Sequence, residues 1–327
     1  MTARAHFQKL VEKTRMQAPL QAAVVYPCDR ESLQLALSGA FAGYLAPTLV
    51  GPEARIRDLA GKFGLDISRL AIADTPDIPR SAGIRAVELA REGQVSALVK
   101  GSLSNEDLLS PVAAHDSGLR TDRRLSHAYF LDLPGISRGL LLADAQLNVA
   151  PNLAAKKDIV LNTVQLAISL GLAAPNVALL AAMDGPATAF PSTTDAVALK
   201  SMAAQGMFGG AIVDGPLTPD SALSADAART NGVTSEVAGH VDVLIAPSME
   251  SALMVLRTLL AFNAGLAAGI VLGARIPIVI PARNESMEVR MASCVLASLA
   301  ASAVGEVAGS QAAGSPPVAE ANSKVAA

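Results

Sequence analysis

The chain has 327 residues, 51% of them apolar and 3% aromatic, with 26 basic against 29 acidic residues and a net charge of −3. That balance offers no basic field for nucleic acid, so no nucleic-acid partner is expected and any anion site has to be local. Length and apolar content suit one large core or two medium ones, with two lobes the expectation. Cys28 and Cys294 stand far apart without CxxC or metal-ligand spacing, which argues against a disulfide framework or a zinc site.

In chain order, MTARAHFQKLVEKTRMQ reads as a charged amphipathic helix without the apolar core of a signal peptide, so a cytoplasmic location is expected. Strands are predicted over 22–26, 48–50, 70–72, 97–99, 128–131, 140–143, 177–181, 211–213, 243–245, 269–272 and 276–280, with helical patterns between most of them. The clearest helix covers 156–170, where Ile159, Val160, Val164, Ala167 and Ile168 recur at helical spacing. The apolar stretch 252–272 is long enough to span a bilayer, but Arg257, Asn263, Gly265 and Gly269 interrupt it. It reads as a buried helix followed by a strand from about 268, and no membrane partner is expected. A last helix is predicted over 286–303, and the Ala, Gly, Ser and Pro composition after Gly305 reads as a disordered tail, 305–327. Strand and helix alternation predicts an α/β fold with mainly parallel sheets flanked by helices on both faces.

Chemistry concentrates where strands break into turns. In IVDGPLTPDSALS, Asp214, Gly215 and Pro216 are predicted to form a sharp exit that exposes backbone N–H groups and one carboxylate; alone, it reads better as a simple turn. In PARNESMEVR, Arg283 stands near a predicted helix N-terminus, a setting that suits a phosphate or a developing oxyanion. The plainer reading makes Ser286 a helix cap, with Glu285 and Glu288 the acids that favour a first turn. In GLRTDRRLSHAYF, Arg120, Arg123 and Arg124 precede Ser126 and His127; the cluster either holds phosphates of a nucleotide-type cofactor or forms a solvated loop. A single His beside a strand, as His127 is, is more often structural. Lys100 of VKGS either binds an anion or snorkels. GxxxxGK[ST], GxGxxG after the first strand, HExxH and GxSxG do not occur in the expected context, so nucleotide-hydrolysing, dinucleotide-dependent, zincin and serine hydrolase readings lose ground.

The ordered blocks ALVKGSLS, GLRTDRRLSH, LLADAQLNVAPNLAAKKDIV, VDGPLTPDSALS, EVAGHVDVLIAP and AGIVLGARIPIVI resemble the phosphate acetyltransferase and phosphate butyryltransferase family, closer to the butyryltransferase side, over about residues 22–303. The resemblance implies two α/β lobes of the isocitrate/isopropylmalate dehydrogenase-like kind, the second inserted in the first, with the active site in the cleft between them. The first lobe would cover 1–136 and 275–304, and the second 137–274. It also implies conversion of acyl-CoA and phosphate to acyl phosphate and CoA by direct thiolate attack in a ternary complex. CoA is then a substrate, with no permanently bound cofactor and no metal, and the protein is a homodimer or higher homo-oligomer.

By position, the resemblance makes Arg283 the partner of phosphate or oxyanion, Ser286 a hydrogen-bond donor, and Glu285 or Glu288 the base. Lys100, Arg120, Arg123, Arg124, Ser126, His127, Asp214, Gly215 and Pro216 are the substrate-binding candidates. The chain departs from the family pattern at Ala282, where a Ser is usual, at Glu285, where Asp is usual, and at 251–253, where Gly-Asn is usual after the acid. A non-catalytic CoA-binding or regulatory module is the alternative. A relative using metal and nicotinamide is a third, which needs an acid cluster that Asp214, Asp220, Asp226 and Asp242 do not obviously make.

Overall fold

The computed structural model of the chain describes residues 4–262 and 265–313. Eleven strands are β1 Leu20–Val25, β2 Leu45–Gly51, β3 Ala71–Asp74, β4 Ala97–Lys100, β5 Ser126–Asp132, β6 Leu140–Ala143, β7 Asn176–Leu180, β8 Ile212–Leu217, β9 Val243–Ile245, β10 Leu266–Leu272 and β11 Ile278–Val279. The helices are α1 Ala5–Arg15, α2 Arg30–Phe41, α3 Glu53–Phe63, α4 Pro79–Arg91, α5 Asn105–Ala113, α6 Leu153–Ser169, α7 Pro191–Ala204, α8 Pro219–Leu223, α9 Ala225–Thr230, α10 Met249–Phe262 and α11 Met287–Ala313.

All strands join one sheet in the order β3-β2-β1-β4-β11-β10-β5-β6-β9-β7-β8. The first five are mutually parallel, and so are β6, β9, β7 and β8, while β10 and β5 pair antiparallel with their neighbours. Following those directions across the sheet, the two parallel blocks run opposite ways. The second block lies entirely between β5 and β10 in sequence. Each of the eleven predicted strands is present.

Central strands are buried on both faces, which is why they read as near-continuous apolar runs. All seven residues of β5 are buried. The period of two divides them: Ala128 and Phe130 join a large cluster under the first block, whereas Tyr129 and Leu131 join a smaller one with Leu140, Leu142 and Leu244. Helix starts follow local chemistry, as Asp29, Ser104 and Asn152 accept the backbone N–H of Ser32, Asp107 and Ala155 and so cap α2, α5 and α6.

Most boundaries shift by a few residues, and two differ by more. The Asp214-Gly215-Pro216 segment is no exit turn; it continues β8, whose register against β7 shifts between Ala178 and Leu180. Proline is tolerated there because β8 is an edge strand with a free side. A side chain at Gly215 would lie 2.6 Å from the Leu179 carbonyl, so the close pairing itself requires glycine. The final helix begins at Met287 and runs to Ala313, so the tail expected from 305 falls partly on that helix and partly outside the described residues. The apolar stretch near 252–272 divides into α10 and β10, and among the described residues no helix is long and apolar enough to cross a membrane.

Leu142 is fully buried in the smaller cluster. Leu142→Ala should lower unfolding free energy by about 2–5 kcal/mol, read as a lower denaturation midpoint in urea with an unchanged slope.

Candidate active site

The crevice begins at β1. Its neighbours on one side are β2 and β3 and on the other β4 and β11, so the connections reverse direction between β1 and β4. Open α/β sheets leave a ligand crevice at such a point, outside the carboxyl ends of the strands. Here β1 runs out into Tyr26-Pro27-Cys28-Asp29, and Tyr26 adopts a left-handed φ of 53°. The Tyr26 carbonyl accepts the N–H groups of Cys28 and Ser102 and the Ser102 hydroxyl, while Gly101 N–H donates to Val25. The ends of β1 and β4 are thereby tied together. On the outer side the Tyr26 hydroxyl donates to Asp77 at 2.5 Å, and Arg55 donates to both the hydroxyl and Asp77 at 2.9 Å. Burial, then the Asp77 contact, pushes the Tyr26 hydroxyl up to about 12.

Lys100 closes β4 at the same end of the sheet and is partly buried. Burial, then the positive charges of Arg283 and Arg290, holds its ammonium below the usual lysine range. Across from it the Pro281–Ser286 turn leads into α11. The Arg290 guanidinium is buried and donates to the carbonyls of Ala282, Arg283 and Glu285 at 3.0, 3.2 and 3.1 Å. Arg283 itself is exposed and, among the described residues, has no carboxylate partner within ion-pair distance. Glu285 is partly buried, and burial raises its carboxyl above the ordinary value despite Arg290, Arg257 and Lys100 nearby. Arg257 comes from α10, whose start is fixed by reciprocal bonds between Ser248 and Ser251, the segment where the family's Gly-Asn is absent.

Lys100, Arg283 and Glu285 therefore lie near one another, whereas other candidates have different surroundings. Ser286 caps α11 through Val289 N–H at 3.4 Å, the plainer of its two readings. Glu288 is ion-paired with Arg4 ahead of α1 and exposed, which removes it as a base for this crevice. Arg120, Arg123 and Arg124 lie at the opposite end of the central strands. Arg120 bridges Ala274, Arg123 donates to Gln165, and the Arg124 N–H donates to Asp158. They line or adjoin a cavity of about 220 Å³ between α6 and the β10–β11 turn. Ser126 is buried beneath α6, bonded to Asn162. His127 is buried in β5 with its Nδ1 unpartnered, and burial lowers it to about 3, so it is a neutral core residue. Asp214 pairs with Lys200 at 2.5 Å on β8. Six strand spacings, about 29 Å at the usual spacing, separate that strand from β11. Among the described residues no group of three His, Cys, Asp or Glu is placed to hold a metal.

Tyr26, Ser102, Arg257 and Arg290 were missed. Tyr-Pro directly after an apolar strand marked the first, because proline restricts the residue before it and forces a break. Nothing local marked Arg290, whose partners are backbone atoms.

A Cβ at Gly101 would lie 2.5 Å from the Val25 carbonyl and 2.6 Å from that of Tyr26. Gly101→Ala must part β1 from β4 and should destabilise by roughly 1–3 kcal/mol, visible as a lower thermal midpoint.

The chain is similar to a phosphate acetyltransferase of Rhizobium meliloti, 42% identical over 293 residues that cover 90% of this chain and 92% of that protein. It is 33% identical to a phosphate butyryltransferase of Clostridium acetobutylicum over 295 residues, covering 90% and 98%. Its fold resembles a phosphotransacetylase from Streptococcus pyogenes, with a TM-score of 0.78 at 20% identity over 93% of this chain and 100% of that one. A 4-hydroxythreonine-4-phosphate dehydrogenase from Klebsiella pneumoniae shares the fold more distantly, with a TM-score of 0.56 at 15% identity over 87% of this chain and 100% of that one. Residues 70–298, which include Lys100, Glu285 and Arg290, match the family model described as phosphate acetyl/butaryl transferase, and the chain belongs to that family.

Proposed function

We propose that the protein transfers a short acyl group between CoA and inorganic phosphate, acyl-CoA and phosphate giving acyl phosphate and CoA. The observation that carries this reading is the convergence of Lys100, Arg283 and Glu285 at the start of α11, a 27-residue helix. Free N–H groups and the positive dipole end of a helix favour a phosphate, and two cations beside them add charge-assisted bonds.

In this reading Lys100, Arg283 and the helix start hold the phosphoryl group. Glu285, in its carboxylate form, takes the proton of the CoA thiol. The thiolate attacks the acyl phosphate carbonyl, a C–S bond forms, and the tetrahedral oxyanion collapses with cleavage of the C–O bond to phosphate. Run the other way, phosphate oxygen attacks the thioester and Glu285 returns its proton to the leaving thiolate. Both substrates are held together, so no acyl-enzyme is needed and rate comes from positioning and charge stabilisation. Glu285 in place of the usual Asp moves the base by one methylene, from a backbone that Arg290 holds.

The same reading takes the two parallel blocks of the sheet as two lobes, with Glu285 at the cleft between them. CoA enters as a substrate, with no resident cofactor, and the protein works in the cytoplasm as a homo-oligomer. Release of CoA thiol from acetyl-CoA or butyryl-CoA that depends on added phosphate or arsenate tests the activity. No release across short acyl chains overturns it.

Arg283→Ala should reduce the phosphate-dependent rate on the order of a hundredfold or more, as for other preorganised charge donors. A near-normal rate removes Arg283 from the site. The base is active only when deprotonated, so kcat should fall as pH falls through the Glu285 pKa, which lies above the usual glutamate value of 4.5. Glu285→Gln should abolish that acid limb along with most of the rate, checked in a pH–rate profile.

A further inference from the structure

Tyr129 is buried on the face of β5 opposite Ala128 and Phe130. Its ring lies 4.5 Å from that of His127 at 60°. Both rings rest over Gly269 of the neighbouring strand, where a Cβ would come within 2.7 Å of His127 and 2.8 Å of Tyr129. The one glycine makes room for the pair. The charge of Glu285 reaches the Tyr129 hydroxyl, which burial together with that charge pushes up to about 12, and Arg257 lies near both groups.

The hydroxyl has one protein partner among the described residues, and it is a donor: the Gln146 side-chain amide N–H bonds to the Tyr129 oxygen. A phenol has one proton and acceptor lone pairs. With a lone pair taken by Gln146, the proton is free to be donated elsewhere. Gln146 is itself fixed, because its backbone N–H and those of Leu147 and Asn148 all donate to the buried Asp144 carboxylate at 2.9, 3.1 and 3.3 Å. The tyrosine is thus held by a ring, a glycine floor and an amide, with its O–H unspent next to the carboxylate proposed as base.

We propose that Tyr129 is a further catalytic residue, whose hydroxyl donates a hydrogen bond to the oxygen of the acyl carbonyl as it gains charge. The inference rests on the acyl-transfer reading above. The ring brings a fixed donor from β5, which lies between the two parallel blocks, whereas the Lys100 cation comes from the first. A neutral donor in a buried setting costs no reorganisation when the oxyanion forms, which is what makes such donors effective.

The test is steady-state kinetics of the full chain with acetyl-CoA and phosphate, comparing Tyr129→Phe, Gln146→Glu and Gln146→Met. Tyr129→Phe removes the proton. Gln146→Glu keeps the tyrosine but replaces the amide donor with a carboxylate acceptor, which draws the phenol proton away from substrate. Gln146→Met removes the partner and leaves the proton free. Tyr129→Phe and Gln146→Glu should each lower kcat about 10- to 100-fold, with KM for phosphate within about twofold and the thermal midpoint close to that of the parent. Gln146→Met should stay within a few fold of the parent. A Tyr129→Phe rate within twofold overturns the proposal, as does a Gln146→Met loss as large as that of Gln146→Glu, which marks Tyr129 and Gln146 as merely structural. Absence of phosphate-dependent activity in the parent protein is a different result, which sinks the acyl-transfer reading itself.

Discussion

One buried guanidinium organises the crevice. Arg290 sits in the first turns of α11 and reaches back to three carbonyls of the turn that precedes it. Helix starts leave N–H groups unpaired, and carbonyls in a tight turn are equally in need of donors. Satisfying three of the latter with one planar, permanently charged fork fixes the turn's shape, and lysine, with a single compact ammonium, has no equivalent fork. With Ala282, Arg283 and Glu285 held by their backbones, the Arg283 side chain is left exposed while Glu285 is drawn partly inside. The turn's two charged residues thus differ in solvation on a backbone that a third, buried residue holds.

The sheet supplies the other half of the arrangement. Two parallel blocks running in opposite senses cannot join directly by a parallel pair, and β10 and β5 mediate the reversal. Only one residue pair, Val271 with Ile278, joins β10 to β11. Beyond it β11 diverges, and the Ser293 hydroxyl of α11 takes the Gly269 N–H in place of a strand partner. The Glu285 carboxyl ahead of α11 stands near Arg257 of α10, Tyr129 of β5 and Lys100 of β4.

The strands were legible because burial on both faces writes itself as apolar runs, and β6 and β9 match their predicted bounds residue for residue. Lys100, Arg283 and Glu285 stood out as candidates because strand-end turns are where charged residues interrupt such runs. Asp214 misled for the same reason: its Gly and Pro look like a turn, yet an edge strand accommodates both. Arg123 and Arg124 misled because a cluster in sequence says nothing of which end of a strand it occupies. What sequence patterning could not carry were contacts to backbone atoms, such as those of Arg290, and the hub at the Tyr26 carbonyl. Tyr129 was hidden among seven buried residues of β5, since a buried tyrosine differs from a core aromatic only by what its hydroxyl meets.

Charge balance around Glu285 decides how the crevice can work. Three cations nearby would ordinarily hold a carboxyl low, and burial outweighs them, leaving it above the usual range. The same burial, reinforced by Arg283 and Arg290, holds Lys100 low. Desolvation thus brings an acid and a base of opposite ordinary behaviour toward each other in pKa, the arrangement in which proton transfer near neutrality has the least to overcome. In the proposed reaction an acyl phosphate entering among Lys100, Arg283 and the helix start would add negative charge to this set. That charge would favour the protonated forms of Lys100 and Glu285, strengthening the hold of the lysine and making the carboxylate a stronger base for the CoA thiol. On that reading, binding of the acyl phosphate prepares the group that activates the thiol, as a ternary complex requires.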